Sequence, residues 1–180
     1  MKKSYNTTIK IPNGITCQYS DGAIVCKKGS AELRRPINVP KMKVKVENDE
    51  ISLTLQNTNK KERALIETNA AHLRNMFKGL NDKFVYEMEV CYVHFPMTVK
   101  VDGKKFVISN FLGEKVNRSA DILDDVEVKV TGQKITVSGH DIEKTGQTAA
   151  NIEKASKVLN KDRRIFQDGC FITKKPKGAI

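Results

Sequence analysis

Three carboxylates in one short stretch, Asp121, Asp124 and Asp125, are the side chains best suited to bond chemistry in this 180-residue sequence. Carboxylates so close together act as general acid and base, or hold Mg²⁺ through oxygen. They all fall in a single acidic turn ahead of a strand pattern, and a solvated turn accounts for them without catalysis. Cys91 and His94 have a ligand-like spacing, but three residues along a strand put the two side chains on opposite faces. The other cysteines, Cys17, Cys26 and Cys170, are scattered, and no second Cys/His pair completes a tetrahedral set. They read as reduced thiols, mostly buried as small apolar groups. His72 and His140 lack an identifiable nucleophile to serve. No Gly-x-x-x-x-Gly-Lys loop is present for a nucleotide. The expectation is a protein that is not an enzyme and needs neither metal nor cofactor.

Binding chemistry is better represented. Lys144 precedes Gly146-Gln147-Thr148, near the start of a predicted helix. A helix N-terminus offers unpaired N–H groups, glycine lets a phosphate come close, and Gln147 can both donate and accept. An ordinary helix start with glycine as a packing concession fits equally well. The loop Gly113-Glu114-Lys115-Val116-Asn117-Arg118 adds the cations Lys115 and Arg118, although a solvated turn explains it too. The tail adds Lys161, Arg163, Arg164, Lys174, Lys175 and Lys177 against two acidic residues. Cations in that excess supply affinity for phosphates by releasing counterions, and arginine forks onto phosphate oxygens. The bland alternative is a solubilising tail. The whole chain agrees with the first reading: net charge is +11 and the pI is near 9.5. Such an excess points to a polyanionic partner. Aromatic residues make up only 6% and tryptophan is absent, which disfavours base stacking on a sheet and favours recognition of folded RNA by shape and backbone.

The elements that must hold these residues come in two similar sets. The glycines of Lys28-Gly29 and Leu112-Gly113 lie 84 residues apart, and the same shift carries Ile11-Pro12 onto Phe95-Pro96 and Ile51–Leu53 onto Ile135–Val137. Ala70-Ala71 pairs with Ala149-Ala150 at a shift of 79. A duplicated unit therefore fills most of the chain. In the first copy, strand patterns run from Tyr5 to Ile11, Ile15 to Tyr19, Ala23 to Lys28, Lys43 to Glu47 and Ile51 to Leu55. Asn59 and Glu62 predict a capping box, and Ile66, Ala70, Leu73, Phe77 and Leu80 recur at helical spacing. Lys78-Gly79 marks a stop. In the second copy, Phe84, Tyr86, Met88, Val90 and Tyr92 share a strand face. Hairpins are expected about Asp102-Gly103 and Gly132-Gln133. A helix follows, beginning between Asp141 and Gln147 and ending near Leu159, with Ala149, Ile152, Ser156 and Leu159 on its stripe. The fold expected is α+β: two tandem repeats, 1–82 and 83–159, each an antiparallel sheet covered by one helix, plus a basic C-terminal extension, 160–180. No run of about 18 apolar residues exists and the basic N-terminus lacks an apolar segment, so no membrane partner and a cytoplasmic address are expected.

Four separated motifs carry a resemblance: His94-Phe95-Pro96, Asn110-Phe111-Leu112-Gly113-Glu114-Lys115, Gly146-Gln147-Thr148-Ala149-Ala150-Asn151-Ile152-Glu153, and Asp162-Arg163-Arg164-Ile165-Phe166-Gln167-Asp168-Gly169. With Ile11-Pro12-Asn13-Gly14-Ile15 and the Lys28-Gly29 to Glu32-Leu33 stretch, they make the chain resemble the L-six family of large-subunit ribosomal proteins, in its archaeal and eukaryotic-cytosolic form. Cys170 departs from the aliphatic residue commoner there, and the tail after Ile172 bears no motif. The resemblance implies a non-enzymatic monomer within the ribosome, among neighbouring ribosomal proteins. It implies docking on large-subunit ribosomal RNA near the sarcin–ricin region and the stalk base. By motif it carries RNA contacts onto Lys144, Gly146, Gln147, Arg163 and Arg164. The alternative is a duplicated saddle that bends DNA by inserting phenylalanines, with Phe106 and Phe111 as the wedges, although the first repeat has Cys26 and Ser30 nearby instead.

Overall fold

A computed structural model describes residues 3–37, 39–47, 49–93 and 95–178. His94, and with it the Cys91/His94 spacing, lies outside the described residues. The chain divides into two compact units, Met1–Asp82 with Gly178–Ile180, and Lys83–Lys177.

The first unit has two three-stranded antiparallel sheets. One has the order β1 (Lys3–Lys10), β6 (Glu50–Thr58), β5 (Lys43–Glu47). The other is a meander of β2 (Thr16–Ser20), β3 (Ala23–Lys28) and β4 (Ala31–Pro36). The charged stretch after Gly29 is thus a strand rather than a loop: Leu33 is buried while Glu32 and Arg34 alternate outward. Helix α1 (Lys60–Asn81) covers this unit. Its capping box forms as its sequence predicts, with the Glu62 N–H donating to Asn59 Oδ1 at 2.9 Å and the Asn59 N–H to Glu62 Oε2 at 2.8 Å. Ile66, Ala70, Leu73, Phe77 and Leu80 all face the core, joined by Ile9, Ile51 and Leu53 from the strands. The helix runs through Gly79, which is buried, and stops at Asp82.

The second unit repeats the order with one addition. β7 (Phe84–Cys91) lies between β12 (Lys134–Gly139) and β13 (Gly169–Lys174), and β11 (Val126–Thr131) flanks β12. A second sheet is made of β8 (Thr98–Asp102), β9 (Lys105–Ser109) and β10 (Arg118–Asp121). Phe84, Met88 and Val90 of β7 are buried and Tyr86 half-buried, while Val85, Glu87, Glu89 and Cys91 are exposed, which is the period-2 alternation of a one-sided strand. Helix α2 (Ile142–Ala155) covers the unit, packing Ala149 and Ile152 onto Met88, Phe106, Ile108 and Ile135.

Three expectations need correction. The tail is not a separate extension over 160–180: Cys170, Phe171 and Ile172 pair with Val90, Glu89 and Met88, giving β7 a second neighbour. An unpaired strand edge and a short apolar segment satisfy each other's backbone groups in this way. Helix α2 does not reach Leu159, which is largely exposed, and Asp141 caps its start by accepting from the Glu143 N–H at 2.9 Å. Its buried stripe includes Thr145 and Thr148, whose hydroxyls donate to the carbonyls of Asp141 and Lys144 four residues back. The saddle fails as well: the strands of the described residues fall into four small sheets, and Phe106 and Phe111 are fully buried, leaving no wedge there. No helix among the described residues is long and apolar enough to cross a membrane.

Candidate nucleic-acid interface

The Asn110-Phe111-Leu112-Gly113 stretch is a corner. Asn110, Leu112 and Gly113 all have positive φ, at 59°, 50° and 77°. Asn110 tolerates this region best among non-glycine residues, and its Nδ2 donates to the Pro96 carbonyl at 3.0 Å. The corner drives Phe111 into the core and turns its ring toward Arg118, whose guanidinium sits 4.2 Å from the ring centroid. Arg118 also forks onto Glu114 at 2.6 and 2.8 Å and donates to the carbonyls of Ala155 and Lys157 at 3.2 and 2.8 Å. The guanidinium beside it holds the Glu114 carboxyl below its ordinary range. Arg118 therefore ties the corner to the end of α2, and its donors are committed within the protein.

Gly146 is the fifth residue of α2, beyond the four amides that a helix leaves unpaired. A Cβ added there would stand 2.7 Å from Tyr86 Oη. The glycine makes room for a half-buried tyrosine, whose hydroxyl proton burial holds more firmly than usual. The phosphate-approach reading of Gly146 is thereby replaced by packing. Lys144 pairs with Asp125 at 2.9 Å and Lys104 with Asp124 at 2.5 Å, so the acidic turn serves as a partner to cations. Gln147 is exposed and donates to Asn151 Oδ1 at 2.8 Å.

After α2 the chain folds back around a groove of 840 Å³. Ser156 and Asp168 pin its two sides. The Ser156 hydroxyl accepts from the Cys170 N–H at 2.8 Å, and buried Asp168 accepts from the Val93 N–H at 3.1 Å. Arg163, Lys154 and Lys157 stand among its lining residues, with Tyr92, Phe166 and Phe171 as aromatic wall. None of these three cations has an ion pair among the described residues. Lys161 joins them through Phe166, its Nζ lying 4.6 Å from the ring centroid. Gln147 leads into the groove along α2, because positions 147, 150, 151 and 154 share one helical face and Ala150 and Lys154 line the groove.

The structure thus brings Lys161, Arg163 and Gln147 into one neighbourhood. Arg164 is exposed beside them and bonded to Asp162, whose carboxyl it holds below the ordinary range. Lys115 is exposed on the corner loop. Lys174 lies apart, at the end of β13 and paired with Glu87 at 2.8 Å; Lys175 and Lys177 are exposed beyond it. Lys154 and Lys157 were missed by sequence reasoning, although Lys154 follows Gln147 by two helical turns on one face, a spacing open to inspection. Among the described residues, no three His, Cys, Asp or Glu side chains converge as a metal site.

Comparison with known proteins agrees with this organisation. The family model for Ribosomal protein L6 matches twice, over residues 11–83 and 95–169. The chain is 42% identical over 175 residues to Large ribosomal subunit protein uL6 of Methanosarcina mazei, covering 97% of this chain and 99% of that protein. It is 40% identical to the proteins of the same name from Methanococcus vannielii, over 93% of this chain and 92% of the relative, and Haloarcula marismortui, over 93% and 94%. A duplicated α+β body, matched once in each half and aligned nearly end to end with these proteins, belongs to the ribosomal protein L6 family.

Proposed function

We propose that the second unit docks on large-subunit ribosomal RNA through the groove beside α2, near the sarcin–ricin region and the stalk base, as one monomer among neighbouring ribosomal proteins. As a member of its family the chain is a structural ribosomal protein of the cytoplasmic ribosome and not an enzyme. The observation that carries the docking surface is the groove itself, where Lys154, Lys157 and Arg163 are free of carboxylate partners while Arg118, Lys144 and Lys174 are already paired. Unpaired cations on a fixed frame bind phosphate without first giving up an intramolecular partner. Each such contact releases counterions and steepens the salt dependence of binding.

The test is a triple variant, Lys154→Ala, Lys157→Ala and Arg163→Ala, titrated with a large-subunit ribosomal RNA fragment across a salt series. The log–log slope should flatten by about one unit per lost phosphate contact, so by about three. Removing Lys43, Lys45 and Lys60 from the first unit should leave the slope nearly as it was. A triple variant with the parental slope would sink the groove as the docking surface.

A further inference from the structure

The hairpin of β2 and β3 carries a pair of thiols for which RNA docking has no use. Cys17 and Cys26 are register partners across the two strands, their sulphurs lie 2.9 Å apart, and both are free. The turn is the two-residue Asp21-Gly22, with φ of 50° and 69°, so Ser20 and Ala23 form the closing hydrogen-bonded pair. Alternating along the ladder from there, Tyr19–Ile24 is not hydrogen-bonded, Gln18–Val25 is, and Cys17–Cys26 is not. Pairs of that kind hold their Cα atoms about 4.5 Å apart, inside the range of about 4.4–6.8 Å that a disulfide spans. Directly opposed residues also point to the same face. The backbone is therefore already placed for an S–S bond.

Access to the two sulphurs is unequal. Cys26 is fully buried in the first unit's core. Cys17 is half-buried and lines a recess of 480 Å³ with Gln18, Tyr19, Ser20, Val44 and Val46. Contact with Cys26 holds the Cys17 thiol below its ordinary value, against the burial that raises it, whereas the same contact and burial push Cys26 up. Cys17 is thus the sulphur placed to meet a reagent and Cys26 the one placed to resolve it.

We infer that Cys17 and Cys26 form a site of reversible oxidation, where a peroxide converts the facing thiols to a cross-strand disulfide and a small-molecule thiol restores them. In the first step the Cys17 thiolate attacks one peroxide oxygen and the O–O bond breaks. Cys17 becomes a sulfenic acid, and the departing hydroxide takes a proton to leave as water. In the second step the Cys26 sulphur attacks Cys17 Sγ, the S–O bond breaks, and the released hydroxide takes the Cys26 proton. Two thiols and one peroxide yield one disulfide and two waters. Reduction runs by thiol–disulfide exchange, in which two external thiols give up two electrons and become a disulfide.

The reduced full-length protein, treated with hydrogen peroxide, blocked with iodoacetamide and digested, provides the test. Intact mass should fall by about 2 Da before blocking, one disulfide's two hydrogens. One peptide pair should be joined through Cys17 and Cys26, with both thiols lost in equal measure and both regained in dithiothreitol. Cys91 and Cys170 should remain alkylated. Cys17→Ser, at a half-buried position, should keep the far-ultraviolet circular dichroism of the parent and lose the joined peptide; Cys26→Ala should lose it as well. Oxidation of Cys17 to sulfinic acid with Cys26 still alkylated, or a linkage through Cys91, would overturn the proposal.

Discussion

In the first unit a helix of 22 residues covers the sheet and stops at Asp82; in the second, 14 residues do the same work and the chain then doubles back as β13. The same positions in the two copies are spent differently. Glu67, 79 residues before Gly146 at the shift that aligns the helices, accepts the Tyr5 hydroxyl at 2.5 Å. Gly146 instead leaves space that the Tyr86 ring and hydroxyl occupy. Lys27, 84 residues before Phe111, is an exposed cation paired with Glu32 at 2.9 Å, whereas Phe111 is a fully buried anchor. The first copy closes its helix over its own sheet. The second ends its helix early, ties that end with Arg118 and Ser156, and leaves a groove with unpaired cations. Duplication conserved the layers while the loops diverged, which is where binding surfaces arise.

The corners separate the two units most sharply. Phe111→Ala should cost about 3–5 kcal/mol in urea unfolding, from lost burial and the cavity left behind. Lys27→Ala, on an exposed strand position, should stay within about 0.5 kcal/mol. Equal losses at both positions would dissolve the distinction.

A smaller effect is expected at the tyrosine pair. Gly146→Val should destabilise by about 1–3 kcal/mol, because its side chain meets Tyr86 Oη, and adding Tyr86→Phe should return part of that loss. A Gly146→Val protein that melts with the parent but binds RNA poorly would restore the phosphate reading of this glycine.

The smallest effect concerns pH. The Tyr5 hydroxyl, followed by the Thr7 hydroxyl and nearby Arg74 and Arg63, holds the Glu67 carboxyl below its ordinary range against the opposing effect of burial. A carboxylate with a depressed folded-state pKa contributes stability above its unfolded pKa and loses it as pH falls through the folded value. Glu67→Gln should therefore lower the melting temperature slightly at neutral pH and flatten its decline below about pH 4. Melting curves that keep the parent's acid limb would remove Glu67 from that role. No matching change is expected from position 146, where the second unit has no carboxylate.

Much of the fold was open to inspection in the residues. The Asn59/Glu62 box and the five apolar positions of α1 lie within one continuous segment, and the Asp102-Gly103 hairpin needs only its own neighbours. Helix α2 was blurred because Thr145 and Thr148 read as polar, although each buried hydroxyl is satisfied by its own helix. Strands β4 and β10 were hidden by charge: Glu32, Arg34, Arg118 and Asp121 sit on faces that solvent or a neighbouring loop accepts. At the candidate site, Arg163 and Lys161 stood out by type. Which cations were free could not be read from type, since Arg118 and Lys144 differ from Lys154 and Lys157 only in what lies across from them.

What the residues determined unaided was the doubling, the two sheet-and-helix layers and the sign of the partner's charge, because periodicity, capping and net charge are local or additive properties. Tertiary structure alone decided that the tail becomes a strand, that Gly146 serves packing, and that the groove keeps its cations unpaired. Each of those depends on a group brought from far along the chain, and a one-dimensional pattern does not encode the distance between Ser156 and Cys170 or between Gly146 and Tyr86.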